Sequence, residues 1–556
     1  MKRAICIILA ALMIATLLVA CRQDATPPAP ATPTPAPVAT PAPTPVEAIP
    51  PQNLGVEIPT LPLAEPLHLT AIAQRGDWSP DKEFNDLDFW AIVEEGTNIF
   101  VDFRGYTAGE AINTALSLMH ASGDYPDFIL GATSRDAEER FGVVEGVFTP
   151  LNDFITPEIM PNFYELIMSD PSFIRQITAT DGFIYATPRV WDLGYDTAGH
   201  FFINNILLEQ TGLDLPTTLD EFEAMLRAFR ELGPEIIPFE FFGHNDNDLA
   251  RGINNLTALW GQVDHPSGLV LSGTEVIFSR ITPEFRMMLE WVSRLYNDGL
   301  IAADVFAQDD EMSNAKVASG NVGSMLNLRL QNMPFERPLD DLFGSVMDVF
   351  TVIPPFPALP GVDPVWRAES PGLITGNVVV TKANQHVLET MLWVDFQMDP
   401  LIGIQSRNGI IGRSQEFDDD GFLVSVWDAD NPATHDSRPG GNGVFFLTRD
   451  IINSLIILPP FNLERYPYID MYRPFHTELA PNLIDMGRLP AAYIDRRVHL
   501  RHDIDRFIQE EMYRFIREGV TDTAWDDYVN TLWTRLHLQE YLDIAQMSFN
   551  IFYGQN

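Results

Sequence analysis

The hydrophobic and polar positions of this chain follow two periods. Short apolar runs predict strands at Leu67 to Ala73, Ile99 to Phe103 and Asp127 to Leu130. Between them, apolar residues that recur every three or four positions predict helices at Asn85 to Glu95 and Ala108 to Ala121. Because short strands that alternate with helices are typical of βαβ units, this part of the chain predicts a parallel sheet covered by helices.

Two later helices carry clear boundary signals. Thr218 and Glu221 have the spacing of a capping box, in which a hydroxyl and a carboxylate satisfy amides at a helix start, and Gly233 supplies a stop. The pair Thr282-Pro283 predicts the start of the second helix. Proline is tolerated in the first turn, because the amide hydrogen that it lacks would have no hydrogen-bond partner within the helix there. An apolar face follows each start, so both segments are predicted to be amphipathic helices.

The remaining elements extend this pattern to the end of the chain. Strands are predicted at Phe183 to Ala186 and Asn377 to Thr381, and helices at Gln385 to Gln397, Arg501 to Arg517 and Ala524 to Leu536. The stretch from about residue 60 to 556 is too long for one small domain and fits two lobes.

The first residues have the layout of a secreted lipoprotein. Lys2 and Arg3 precede an apolar run, and Leu18-Val19-Ala20-Cys21 matches the bacterial lipobox. We therefore predict a lipoprotein signal peptide over 1–21, with lipid on Cys21 holding the protein at the extracellular face of the cell membrane. An uncleaved anchor helix and an ordinary signal peptide with a chance cysteine are the alternatives.

A linker is predicted over residues 22–60. Thr26 to Val46 consists almost entirely of Pro, Thr and Ala, which cannot bury apolar surface and favour an extended polyproline conformation. At about 3.1 Å per residue, some 20 residues span roughly 60 Å. Such a segment can hold a folded domain away from a membrane.

Cysteine content and charge narrow the class further. The only cysteines are Cys6 and Cys21, so the protein after cleavage would contain no disulfide. The formal net charge is −42, and without Lys2 and Arg3 it is −44, from 33 basic and 77 acidic residues. A surface this acidic excludes nucleic acid as a partner and disfavours polyanionic ligands unless a local basic pocket overrides it.

Several stretches in order resemble one known family. The chain resembles the extracellular solute-binding proteins of bacterial ABC importers, the family 1, carbohydrate-type lipoproteins of Gram-positive bacteria. The stretches that carry the resemblance are SGDYPDFIL at 122–130, DGFIYATP at 181–188, FFINNILLEQTGLDLPTTLDEFEAML at 201–226, EWVSRLYNDGLI at 290–301, RHDIDRFIQEEMYRFIREG at 501–519 and AWDDYVNTL at 524–532.

This resemblance implies a periplasmic-binding-protein-like α/β fold, in which two α/β lobes joined by a hinge close on a ligand in the cleft between them. By analogy, lobe 1 contains 66–187 and 374–412, and lobe 2 contains 188–373 and 413–556. The implied ligand is a sugar or oligosaccharide, and the implied partners are the permease subunits of an ABC transporter. We expect a monomer without a cofactor. Residues 412–480 diverge from the family pattern.

Ligand contacts are expected in the loops after the strands, because ligands of open parallel sheets bind beyond the carboxyl ends of the strands. A sugar site combines aromatic rings with planar hydrogen-bonding side chains. The alternative for these residues is core packing for the aromatics and solvated loops or helix caps for the charged groups. The predicted ligand-binding residues are Asp77, Trp78, Arg189, Trp191, Asp192, Trp260 and Trp366, with Tyr468 a weaker candidate.

Signals of catalysis and metal binding are weak. The chain contains no HExxH, P-loop or GxSxG motif, so we expect no enzyme. Two acidic segments, 245–248 and 418–421, lack the glutamate at position 12 of a calcium loop, so no metal is expected. A surface-anchored glycoside hydrolase with two carboxylates, a non-catalytic adhesin or scaffold, and a peptide ligand stay open as alternatives.

Overall fold

The computed structural model describes residues 50–553, except 53, 77–81, 194–196, 198, 242–247, 309, 328–348, 369–372, 429, 459–465 and 477–487. The predicted lipidation site Cys21 and most of the predicted linker therefore lie outside the described residues. All elements below belong to one compact unit, Pro43–Gln555.

The strands of the described residues are β1 (Leu67–Arg75), β2 (Ile99–Thr107), β3 (Phe128–Leu130), β4 (Ala186–Trp191), β5 (His200–Asn204), β6 (Ile237–Phe241), β7 (Leu269–Ser272), β8 (Glu275–Phe278), β9 (Val322–Asn327), β10 (Phe350–Ile353), β11 (Leu373–Val380), β12 (Gln415–Phe417), β13 (Leu423–Ser425) and β14 (Phe446–Leu447). The helices of at least two turns are α1 (Trp90–Thr97), α2 (Glu110–Ser122), α3 (Pro161–Ser169), α4 (Pro171–Ile177), α5 (Asn205–Thr211), α6 (Leu219–Leu232), α7 (Asp248–Asn255), α8 (Pro283–Asn297), α9 (Asp310–Ala318), α10 (Val387–Met398), α11 (Pro400–Arg407), α12 (Arg449–Leu455), α13 (Tyr466–Tyr472), α14 (Ala491–Glu518), α15 (Asp522–Thr534) and α16 (Leu538–Tyr553).

Lobe 1 is built on a six-stranded sheet with the order β14-β4-β11-β3-β1-β2. β1 lies parallel to both β2 and β3, as the βαβ pattern predicts. β11 is antiparallel to β3 and to β4, because the chain returns through it from the other lobe. The apolar side chains of this sheet pack against those of α1, α3 and α10.

Lobe 2 is built on a four-stranded sheet with the order β10-β5-β9-β6. Its core includes the apolar faces of α6 and α8 and, from the end of the chain, those of α14, α15 and α16. The C-terminal helices therefore belong to lobe 2, although they are distant from its strands in sequence.

The chain passes from lobe 1 to lobe 2 between β4 and β5 and returns between β10 and β11. The structure differs from the predicted boundaries, which assigned 188–373 and 413–556 to lobe 2. β4 continues in the lobe 1 sheet to Trp191, and β14 pairs with it in parallel. The segment that precedes β14 also contributes to lobe 1, because Val444 lies in its core. A strand as short as β14 has no periodicity that a sequence pattern could reveal.

The helix starts agree with their sequence signals. The hydroxyl of Thr218 accepts a hydrogen bond from the amide of Glu221 at 3.2 Å. The hydroxyl of Thr282 likewise accepts one from the amide of Phe285 at 3.3 Å. Both amphipathic helices are confirmed, and Phe222 and Phe285 are among their buried residues.

One predicted strand lies later in the chain than expected. The pattern predicts a strand at Phe183 to Ala186, whereas β4 runs from Ala186 to Trp191. Ile184 instead forms a bridge to Thr178 and accepts the amide of Leu151 at 2.7 Å. β11 and β14 pair with β4 on its two sides. This pairing makes the segment around Arg189 a strand, although its polar sequence does not predict one.

In the part of the chain that the structure describes, a long apolar helix of the kind needed to cross a membrane is not found.

Candidate functional site

The carboxyl ends of β1, β3, β4 and β14 share one edge of the lobe 1 sheet, because these four strands run in the same direction. The antiparallel β11 begins at this edge, where Leu373 pairs with Val190. β4 ends at this edge, and the next strand in the chain, β5, belongs to lobe 2. We call it the crossover edge, and it is where ligands of open α/β sheets bind.

Arg189 is the centre of a polar network at the crossover edge. Its Nη1 donates to the side-chain oxygen of Asn377 at 3.4 Å and to that of Asn442 at 3.3 Å. Gln74, at the end of β1, also donates to the Asn442 oxygen, at 3.5 Å. Asn377 and Asn442 are buried, whereas Arg189 and Gln74 are half-buried. The network therefore joins three strands and the loop before β14.

Two glycines allow the loop after β3 to approach this network. Gly131 has a φ of +71°, and a Cβ there would lie 3.5 Å from Nη1 of Arg189. Gly376, with a φ of +72°, lies in the irregular stretch of β11, and a Cβ there would lie 2.6 Å from the carbonyl oxygen of Thr133. The Thr133 hydroxyl donates to the Gly376 carbonyl at 2.8 Å. A side chain at Gly376 would therefore push this loop away from β11.

The guanidinium of Arg189 forms no ion pair with any described residue, and its Nε is buried without a hydrogen-bond partner there. Burial lowers the pKa of Arg189 to about 10. Since that value is still well above neutral pH, the side chain keeps its positive charge. The site thus holds a cation whose described partners are neutral amides.

A second arginine adjoins this group. The guanidinium of Arg407, the last residue of α11, lies 4.9 Å from the ring centroid of Trp191. Burial, and then the positive charges of Arg438 and Arg189, lower the pKa of Arg407 to about 10. Trp191 is half-buried and packs against a small apolar cluster that includes Ile404. Its aromatic ring and two cations therefore lie together at the crossover edge.

Asp192 also lies at the crossover edge. Its amide donates to the carbonyl of Leu447 at 3.0 Å, and its carboxylate lies 3.5 Å from the guanidinium of Arg449. The structure thus brings together Arg189, Trp191 and Asp192, which the sequence proposed as neighbours. Asp77 and Trp78, also predicted as ligand contacts, lie outside the described residues.

The other predicted aromatics lie in the core of lobe 2. Trp366 is 1% exposed, and its Nε1 donates to the carbonyl of Gly199 at 3.0 Å. Trp260 is buried too, with its ring centroid 5.9 Å from that of Trp291. Tyr468 packs against the same core. Core packing is the alternative that the sequence left open for these residues.

Four members of the site are absent from the residues predicted by sequence. Gln74 directly follows a predicted strand, Asn377 lies in one, Arg407 looks like an ordinary basic residue at a helix end, and Asn442 lies in the divergent stretch 412–480. Nothing in the local sequence distinguishes them, since each acquires its place only when distant strands pair.

Within the described ranges, no group of three or more His, Cys, Asp or Glu side chains is arranged to hold a metal ion. Of the two acidic segments considered for calcium, 245–247 lies outside the described residues. In the other, the Asp418 carboxylate accepts the amides of Asp420 at 3.0 Å and Phe422 at 2.9 Å, which closes a turn.

Comparisons with known proteins give consistent relatives, although no family model matches the chain. The fructooligosaccharide ABC transporter substrate-binding protein FusA of Streptococcus pneumoniae is 24% identical over 513 residues, which cover 88% of this chain and 91% of FusA. Lipoprotein LipO of Bacillus subtilis is 22% identical over 324 residues, or 56% of this chain and 60% of LipO.

Solved structures agree with these relatives. A solute-binding protein of Bifidobacterium longum infantis, described as HMO-binding and ABC-transporter-associated, superposes with a TM-score of 0.74 at 19% identity, covering 88% of this chain and 99% of that one. The fold is therefore the periplasmic-binding-protein-like fold, as predicted. The resemblance inferred from the sequence is confirmed: this chain is similar along most of its length to the substrate-binding proteins of ABC transporters.

Proposed function

We propose that this protein captures an oligosaccharide between its two lobes and delivers it to the permease of an ABC importer. The observation that carries the proposal is the polar network of Arg189, Asn377 and Asn442 beside Trp191, at the edge where the chain crosses to lobe 2. A glycan ligand is supported by FusA, which is a fructooligosaccharide transporter's substrate-binding protein, and by the Bifidobacterium protein, which is HMO-binding.

The side chains at the crossover edge suit a sugar. Planar amides such as those of Gln74 and Asn442 can donate to one hydroxyl and accept from another, and an aromatic ring such as Trp191 packs against the apolar face of a pyranose or furanose. Asp192 adds a carboxylate acceptor. We include the predicted Asp77 and Trp78 in the site, since they lie two and three residues after the end of β1 in the sequence.

Capture without bond cleavage is favoured over hydrolysis. Glycoside hydrolases use two carboxyl groups on either side of the bond that breaks, about 5–9.5 Å apart. The described side chains around Trp191 are instead amides and arginines, and the Asp192 carboxylate already faces Arg449 at 3.5 Å. The relatives are named substrate-binding proteins and not hydrolases.

We further propose that lipid on Cys21 tethers the protein to the extracellular face of the membrane, as a monomer. The lipobox ending at Cys21 and the similarity to lipoprotein LipO support the tether. Replacement of Cys21 by Ser should release the protein into the culture medium. If the variant stayed with the membrane fraction, another anchor would be holding it.

The main proposal is tested on the purified full chain in detergent, with one panel of oligosaccharides, by calorimetry and by product analysis of the same samples. We expect saturable binding with no new reducing ends. Product release would indicate the hydrolase, and the absence of both binding and product would favour an adhesin or scaffold.

A further inference from the structure

We propose that the ligand is an acidic oligosaccharide, whose carboxylate or sulfate group is bound by Arg189 together with Arg407. This inference rests on the proposed function and names the class of sugar that the same site takes.

The environment of Arg189 suits an anionic ligand. Its described partners are two side-chain amide oxygens, of Asn377 and Asn442, which orient the guanidinium without neutralising it. A guanidinium carries five N–H donors in a fixed fork, and its strongest partners are the paired oxygens of an anionic group. Since only Nη1 is engaged among the described residues and Nε is buried, the N–H groups of Nη2 remain to donate to an incoming anion.

Like charges lie close together beside Trp191. The Arg407 guanidinium is 4.9 Å from the ring centroid of Trp191, two residues after Arg189 in β4, and the charges of Arg438 and Arg189 help to lower the pKa of Arg407. Two half-buried cations repel each other more strongly than two solvated ones, because the effective dielectric constant is lower. An anion that binds between Arg189 and Arg407 would turn this repulsion into attraction.

Other cations beside the same edge have carboxylate partners. Arg75, Lys82 and Arg438 line one hollow, and each has a carboxylate nearby. Lys82, for example, lies 3.0 Å from Asp88. With 77 acidic residues against 35 basic ones, a counter-charge is easily supplied almost anywhere in this chain. Among the described residues, Arg189 therefore differs from its neighbours Arg75, Lys82 and Arg438, because it is half-buried and no carboxylate lies beside it.

The overall charge limits how acidic the ligand can be. A surface with a net charge of −42 repels anions at long range. At physiological salt this field is screened within about 8 Å, whereas a direct contact with a half-buried guanidinium is screened far less. We therefore expect an oligosaccharide with one or two acidic groups to bind better than a highly charged chain of the same length.

The test uses calorimetry on the full chain in detergent with matched oligosaccharides. Each acidic member, carrying either a uronate or an O-sulfate group, is paired with a neutral counterpart of identical linkage. We expect at least one acidic member to bind ten times or more tighter than its counterpart, and the uronate and sulfate arms distinguish the two sources of charge. Equal affinities within every pair that binds would overturn the inference and leave the proposed function intact. If no member of the panel bound, the proposed function itself would be contradicted.

Variants then test the residues. Arg189→Gln should weaken binding of the acidic oligosaccharide at least tenfold and binding of its neutral counterpart less than twofold. Arg189→Lys should keep part of the preference for the acidic oligosaccharide. Arg227→Gln is the matched control, since it removes one positive charge from an exposed ion pair with Asp298 in lobe 2. If Arg189→Gln weakened both sugars equally, Arg189 would act as an ordinary hydrogen-bond donor and the inference would fail. A circular dichroism melt of each variant checks its folding. The comparison of acidic with neutral sugars on the unmutated protein tests the proposal even if a variant fails to fold.

Discussion

Arg280 in lobe 2 and Arg189 at the crossover edge are both arginines removed from bulk solvent, but their surroundings differ. Arg280 is buried, lies 3.3 Å from the Asp264 carboxylate, and donates to the carbonyls of His265 at 2.9 Å and Pro266 at 3.0 Å. Arg189 is half-buried and meets only amide oxygens among the described residues. The first site is electrostatically complete in the protein alone, and the second is completed by an anion from outside.

Arg488 shows that Arg280 is not an isolated case. It is buried, and its Nη1 lies 2.9 Å from Glu138 and 3.8 Å from Glu139, both of which are buried too. These glutamates begin the π-helical turn Glu138–Val144 of lobe 1. Where this chain buries an arginine for structural reasons, it supplies a carboxylate. The comparison teaches that burial alone does not distinguish these arginines: Arg280 and Arg488 have carboxylate partners, whereas Arg189 has only neutral described partners and is therefore our candidate for a ligand contact.

The largest expected effect is the loss of protein stability when the buried ion pair between Arg280 and Asp264 is broken. Arg280→Met leaves the Asp264 carboxylate buried without its cation, so we expect the free energy of unfolding to fall by about 3–5 kcal/mol. Urea unfolding followed by circular dichroism measures it. The double variant Arg280→Met/Asp264→Asn should recover part of this loss, because neither charge then remains. A loss below about 1 kcal/mol in the single variant would contradict the structural role.

Asp395 provides the opposite case, a buried carboxylate with no cation among its described partners, and its effect on stability should depend on pH. Asp395 in α10 accepts the amide of Phe163 at 2.8 Å and a side-chain N–H of Asn162 at 3.1 Å, and burial raises its pKa from 3.8 to about 6. The folded state therefore holds this proton more tightly than the unfolded state does. Its contribution to stability is complete below pH 3.8 and is lost as the pH rises through 6.

This shift corresponds to about 3 kcal/mol across that window. Urea unfolding at pH 4 and pH 7 should show that Asp395→Asn gains stability relative to the unmutated protein as the pH rises. A stability difference between the two proteins that stays constant with pH would mean that Asp395 is ionised in the fold. Asp170→Asn is the control, since that exposed carboxylate caps α4 by accepting the amide of Ser172 at 2.8 Å.

Trp191 tests the proposed sugar contact. We expect Trp191→Ala to weaken oligosaccharide binding at least tenfold, or about 1.4 kcal/mol, because the ring that packs against the sugar and against Arg407 is lost. Calorimetry measures the affinity, and a thermal melt should show that the protein still folds. Trp427→Ala is the matched control, since Trp427 is 53% exposed and stacks on His435 outside the crossover edge. Unchanged affinity would remove Trp191 from the site.

The smallest expected effect is the change in protein stability when Arg189 is replaced. Arg189→Gln should change the free energy of unfolding by less than about 1 kcal/mol, because only hydrogen bonds to Asn377 and Asn442 are lost and no carboxylate is left unpaired. The same urea experiment as for Arg280→Met allows direct comparison. A loss as large as that of Arg280→Met would make Arg189 a structural residue and remove the contrast between the two sites.

The amino-acid sequence by itself determined the elements whose signals are local. The cap at Thr218 and the proline after Thr282 predict helix starts that the structure contains, because a cap involves only residues within one turn. The apolar runs at Leu67 and Ile99 likewise predict β1 and β2, which pair in parallel. The ordered similarity to a known family adds the two-lobed fold.

Tertiary structure alone decided which polar residues meet. Arg189 is 188 residues from Asn377 and 253 from Asn442, and the three come together only because β11 pairs with β4 and the loop before β14 closes over them. It also decided that Trp366 is a core residue while Trp191 stays at the edge. Residue type sets what chemistry a side chain can perform, but the pairing of strands far apart in the chain sets whether a ligand can reach it.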